Sequence, residues 1–188
     1  IRKALNKNLR FGFVAGGYDD RGIFENLFDT DQVQYSPGLT AILAVNHSRD
    51  GMIQALSKKA CYATTGPRIV AGLEIAGALM GSELNTKAKP GLAYNRHITG
   101  YAVGTSPLKE VIIIRNGKPF HTFTPKDDTY EFAFDDDEPL EKVVFKSTDD
   151  APPFVYYYMR VEQKDGHLAW TSPIWVDLGM PAVEKKKK

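Results

Sequence analysis

Cys61 is the only cysteine in the 188 residues. That excludes an internal disulfide framework and any cysteine-based zinc knuckle. One thiol fits either redox setting, so the compartment stays open. No run of about 18 apolar residues occurs, so no segment is expected to cross a bilayer. An excess of one charge is missing too. The net charge of +1 includes the four lysines at 185–188, and without them the body stands at −3. A protein that binds nucleic acid by neutralising phosphates needs a basic face, so no nucleic-acid partner is expected. The chain also lacks an initiating methionine. It opens at Ile1, followed by Arg2, Lys3, Asn6, Lys7 and Arg10. That start reads as the interior of a longer protein or a processed product, and it leaves a targeting peptide illegible. What is present, 43% hydrophobic and 25% charged residues, is ordinary for a globular chain. A chain of this length buries about 70% of its unfolded surface without staples.

Two textures meet near Gly66-Pro67. Before it, Phe11-Gly12-Phe13-Val14-Ala15-Gly16 and residues 39–45 are short apolar runs of the kind that form strands covered on both faces. The polar stretch from Gly17 to Gly38 between them has the length of a functional loop. Ser48 is placed to cap a helix, Asp50 suits its first turn, and Met52, Ile53, Leu56 and Ala60 predict its apolar face. Strand, loop, strand and helix in this order predict a piece of an α/β layer with a parallel sheet. Two strands and one helix cannot close such a layer. The piece must pack on the second region or on sequence outside the chain.

The second texture is β. Asn116-Gly117 between apolar runs is a strong hairpin signal, and Asp165-Gly166 repeats it. Alternation predicts strands at 69–75, 97–103, 111–114, 130–134, 143–145, 154–163 and 168–176. In the strand at 154–163, Val155, Tyr157, Met159 and Val161 share one face, and Phe154, Tyr156, Tyr158 and Arg160 the other. Seven or more short strands predict an antiparallel sandwich of immunoglobulin-like kind, without the Cys…Trp…Cys spacing of antibody domains. The overall class is α+β. Residues 1–66 form the α/β portion, 67–178 the β-sandwich, and 179–188 a disordered tail or cloning remnant.

Ligands in α/β sheets sit beyond the carboxyl ends of strands. That rule selects Asp19, Asp20 and Arg21 after the first strand, and Asn46 and His47 after the second. Adjacent carboxylates near an imidazole suit Mn²⁺, Mg²⁺ or Zn²⁺, and equally a polar turn. The carboxylates at 127, 128, 131, 135–138 and 141 lack calcium-loop spacing and read as a charged face. Cys61 reads as a buried small hydrophobe. Thr64-Thr65-Gly66-Pro67-Arg68 lacks the P-loop ending and reads as a tight turn. Asn46-His47-Ser48 matches a glycosylation sequon. Tyr156, Tyr157, Tyr158, Trp170 and Trp175 form either a sugar-stacking platform or sandwich core.

Several segments carry a family resemblance. They are Gly12-Phe13-Val14-Ala15-Gly16, Tyr35-Ser36-Pro37-Gly38-Leu39-Thr40 and Arg49-Asp50-Gly51-Met52-Ile53-Gln54-Ala55-Leu56. Cys61-Tyr62-Ala63-Thr64-Thr65-Gly66-Pro67-Arg68, Gly77-Ala78-Leu79-Met80-Gly81-Ser82-Glu83 and Trp170-Thr171-Ser172-Pro173-Ile174-Trp175-Val176 follow in order. Together with Glu110 to Gly117 and Tyr158 to Val161, they resemble the C-terminal part of an uncharacterised family related to the polymerase-and-histidinol-phosphatase (PHP) superfamily. The resemblance implies the last strand and helix of a PHP-type α/β barrel within residues 11–60, followed by a β-sandwich. It implies a phosphoesterase chemistry in the intact protein, with divalent metals held by His, Asp and Glu. The final family motif, Gly-Ser-Asp-x-His, falls on Gly16-Gly17-Tyr18-Asp19-Asp20. Tyr18 then stands for the Asp and Asp20 for the His, leaving Asp19 and Asp20 as the metal-ligand candidates. A tyrosine, with its pKa near 10, is a poor ligand at neutral pH.

The resulting expectation is a C-terminal fragment inactive on its own, holding no cofactor, with the sandwich in an architectural or partner-binding role. Its first partner is the rest of its own α/β domain. Two alternatives stand beside it: a working metal-dependent phosphoesterase with a variant last motif, and a module that binds glycan or protein.

Overall fold

The computed structural model describes residues 1–16, 38–146 and 152–179. The strands predicted at 69–75, 97–103, 111–114, 130–134 and 154–163 are present, those at 61–64, 78–79 and 83–85 are not among those expected, and the strands form two sheets. The first sheet is built around the long strand β10 (Phe154–Gln163). One edge of β10 pairs with β7 (Leu108–Arg115), which pairs in turn with β8 (Lys118–Phe123). The other edge is shared. Its C-terminal half pairs with β11 (Leu168–Thr171) and its N-terminal half with β12 (Ile174–Asp177). Sequence alone predicts one continuous strand here. Ser172-Pro173 divides it, because proline cannot donate to a ladder. Beyond β11 lie β2 (Cys61–Thr64) and β1 (Leu39–Ile42), and β5 (Glu83–Asn85) runs parallel beside β12.

The second sheet has the order β4 (Ala78–Leu79), β3 (Val70–Ile75), β6 (Arg96–Val103) and β9 (Thr129–Asp136), all antiparallel. The sheets enclose one core. Leu73, Ile75 and Ile98 meet Val111, Ile113, Val155, Tyr157, Met159 and Val161, the inward face predicted for β10. Asn116 (φ 55°) and Gly117 (φ 75°) make the left-handed turn between β7 and β8, as their sequence requires.

The first region departs from expectation. β1 pairs antiparallel with β2, Leu39 opposite Thr64, so residues 39–64 do not form a parallel layer. Both strands extend the sandwich's first sheet, and Gly66 lies between β2 and β3, one in each sheet. The division drawn at 66/67 therefore runs through this sandwich. The barrel edge expected of residues 1–66 is not seen among the described residues. Phe11 to Gly16 is not a strand either. Its backbone bonds to side chains: the Phe13 N–H donates to Ser172 Oγ, the Ala15 N–H donates to Thr40 Oγ1, and that hydroxyl donates back to the Ala15 carbonyl. The apolar run reflects burial of its rings, not ladder pairing.

Helix α1 (Arg2–Asn6), too short to carry a periodic signal, precedes this segment. Helix α2 (Arg49–Ser57) begins where expected, with Ser48 Oγ accepting the Gly51 N–H at 3.0 Å. The strand predicted at 143–145 is a short helix, α3 (Leu140–Val143), followed by an isolated bridge from Phe145 to Phe154. Pro139 at its N-cap supplies a break that the apolar run conceals. A 3₁₀ turn at Pro90–Ala93 leads into β6. No helix among the described residues is long and apolar enough to cross a membrane.

Candidate functional site

Asp19 and Asp20, the metal-ligand candidates, lie outside the described residues, as do Tyr18 and Arg21. Among the described residues no three His, Cys, Asp or Glu side chains gather closely enough to hold a metal ion. His47 is exposed. The Asn46 carboxamide oxygen accepts the Ser48 hydroxyl at 2.7 Å, so this sequon asparagine braces the helix cap. Cys61 is buried, with its Sγ 3.5 Å from the Phe13 carbonyl and 3.6 Å from Ser172 Oγ. It fills the seam between the N-terminal segment and β2, the inert role expected of it. The Thr64 to Arg68 tract is a turn. Thr64 Oγ1 accepts the Gly66 N–H, while Thr65 Oγ1 accepts the Leu168 N–H and meets His167 Nδ1 at 3.0 Å.

The acidic stretch splits in two. Asp135 pairs with His97 at the surface, while Asp136 turns inward and is 2% exposed. Its carboxylate accepts the Tyr157 hydroxyl at 2.6 Å and pairs with Arg96 at 2.9 Å and Arg115 at 3.0 Å. Arg96, fully buried, also donates to Tyr157 Oη and to the Leu92 carbonyl. Burial opposes the Asp136 charge. The Tyr157 hydrogen bond and the Arg96 guanidinium outweigh it and hold the carboxyl below the usual carboxylate range. Arg115 adds a bond to Glu138 and lies 4.0 Å over the Phe120 ring. With its polar groups paired, this cluster is a structural lock between β6, β7, β9 and β10.

Nor do the tyrosines form a sugar platform. Tyr156 and Tyr157 are fully buried. Tyr157 points into the core, and burial pushes its phenol up out of the titratable range. Tyr156 lies on the other face of the first sheet with Trp175, beneath residues 1–16. Leu5 is fully buried there, Tyr156 Oη donates to Asn6 Oδ1 at 2.6 Å, and Phe13 meets the Tyr158 ring edge-on at 5.4 Å. Arg10 reaches over Trp175, 6.0 Å from its ring centre, to pair with Asp177 and Glu83. Lys59 pairs with the same Glu83. These ion pairs, absent from any sequence motif, fasten the N-terminal strap across the sheet.

The face left unsatisfied belongs to α2. Of its apolar residues only Ala55 is buried, at 5% exposure, whereas Ile53 is 52% and Leu56 41% exposed. At 3.6 residues per turn, Ile53 lies about 200° round the helix from Ala55 and about 60° from Leu56. The helix thus rests on the sandwich through one flank and turns the other outward. Val45, just before the helix, is completely exposed. Of the predicted apolar stripe, Met52 is half-buried, Ala60 lies beyond the helix end, and Ile53 and Leu56 are left uncovered by the described residues.

The architecture is therefore an antiparallel two-sheet sandwich with a strap on one face and an outward apolar helix. The chain has relatives close in sequence. An uncharacterized protein of Chlamydia pneumoniae is 56% identical over 178 residues, which are 95% of this chain and 29% of that protein. Uncharacterized proteins of Chlamydia muridarum and Chlamydia trachomatis are 51% identical over the same extents. The chain thus spans under a third of the length of the curated relatives it matches. The family described as protein of unknown function (DUF3604) matches residues 18–99. Among solved structures, the fibronectin(III)-like modules of Clostridium thermocellum CbhA are 9% identical, with a TM-score of 0.33, over 59% of this chain and 99% of theirs.

Proposed function

We propose that this chain is the carboxyl-terminal appendage of a longer, PHP-like protein, with an immunoglobulin-like sandwich in an architectural and partner-holding role and no catalysis of its own. The observation that carries this reading is the outward apolar flank of α2, Ile53 and Leu56, with Val45 beside the helix start. A helix in a finished globule turns its apolar stripe to the core, and this one turns it away. The chain's small share of its relatives' length supports a larger body as the cover.

The resemblance would place metal ligands at Asp19 and Asp20. That donor set fits poorly. It offers two adjacent carboxylates, with Tyr18 where the motif has its Asp and Asp20 where it has its His. No reaction step is therefore assigned to this chain. Hydrogen exchange tests the architectural reading. Amides of residues 52–57 are expected to exchange at least about tenfold more slowly in the longer protein than in the 188-residue chain, because burial of the flank stabilises the helix. Equal exchange in both would remove the reading's support.

A further inference from the structure

The outer face of the second sheet carries a trough of about 530 Å³, within the range of small-ligand sites. Two rows of cross-strand neighbours line it: Gly72, Tyr101 and Glu131; Glu74, Thr99 and Ala133. Leu79 on β4 stands opposite Glu74. Gly72 lets the Tyr101 ring lie flat across β3, since a Cβ at that position would collide with ring carbons Cε1 and Cζ. The ring remains 42% exposed. Thr99 and Ala133 are small and leave the floor low.

Two carboxylates flank that ring. Glu131 is directly opposite Tyr101, with Cβ atoms about 5 Å apart in such pairs. Glu74 is one pair further along β3. Among the described residues neither side chain has a hydrogen-bond or ion-pair partner. Several other surface carboxylates do: Asp135 has His97, Glu138 has Arg115, Glu110 has Arg160, and Glu162 has Lys109. Glu74 and Glu131 thus stand beside the exposed ring with no cation among the described residues to hold them.

We propose that this trough binds a guanidinium group on an alkyl stem, free or as an arginine side chain. A planar guanidinium stacks on a tyrosine face while its edge donates to carboxylates, which a compact ammonium cannot do with the same geometry. The apolar end of the trough at Leu43, Leu79 and Met80 takes the methylene stem. This site is independent of the docking flank on α2.

The test is an amide-shift NMR titration of the 188-residue chain with agmatine, with N-acetyl-arginine methylamide and with pentylamine. Saturable shifts confined to residues 72–74, 99–101 and 131–133 are expected for the guanidines, at least about fivefold tighter than for pentylamine. Agmatine binding alone would identify a free small molecule as the source, and binding of the blocked arginine a peptide. Tyr101→Leu, Glu131→Gln and Glu74→Gln should each weaken binding about fivefold, and Lys109→Gln should leave it unchanged. These positions face solvent, and the dispersion of the same spectra reports whether each variant is folded. Scattered or non-saturating shifts, equal binding of pentylamine, or indifference of folded variants would overturn the assignment.

Discussion

At the scale of single residues, the molecule's costliest feature is the charge cluster around Asp136. Arg96 and Asp136 are almost wholly removed from water, and removing one partner strands the other. Asp136→Asn is therefore expected to lower unfolding stability by about 3–5 kcal/mol, read by urea denaturation. A loss below about 1 kcal/mol would show that the cluster is not a lock. The pH dependence has a definite sign. Because the folded carboxyl is held below its unfolded value of about 3.9, its contribution is fully present above that value. It is lost as pH falls from there through the lower, folded value. The parent should lose stability over that acid window, and Asp136→Asn should show a shallower acid slope. The sequence shows Asp136 only as one of several acids in a row. It was strand parity, the inward phase of β9 (Thr129–Asp136), that could have separated it from Asp135.

At the scale of elements, the β10 faces and the Asn116-Gly117 turn were legible because a period of two and a left-handed dipeptide are strong local signals. Helix α2 was legible from its cap, and Ser48→Ala should cost about 1 kcal/mol in the same denaturation assay. No change would mean that the helix end is held by something else. The strap was not legible as a strap. Residues 11–16 look like a strand because apolar side chains mark burial whatever the backbone pairs with. Helix α1 has five residues, too few for a period. Deleting residues 1–16 should uncover Tyr156 and Trp175, shift tryptophan emission to the red and lower the midpoint of unfolding. Unchanged emission and midpoint would show that the strap is dispensable.

At the scale of the whole molecule, the described residues of the sandwich close their own core but leave one helix flank uncovered. Sequence periodicity puts Met52, Ile53, Leu56 and Ala60 on one apolar face, but the helix ends at Ser57, before Ala60, and Ile53 and Leu56 are exposed. The parallel layer expected of residues 39–64 gave way to antiparallel pairing, because β2 finds its ladder partner in β11 of the sandwich and β1 pairs on the far edge of β2. If α2 is the hinge of attachment to a larger body, its outward side chains are surface residues in this chain and interior residues in the longer protein.

The most direct measurement is the stability of the double variant Ile53→Asp with Leu56→Asp in both settings. In the 188-residue chain the change should stay within about 0.5 kcal/mol, as for exposed positions. In the longer protein it should cost at least about 3 kcal/mol, from two lost apolar burials. A small effect in both would contradict the docking of α2 on a larger body.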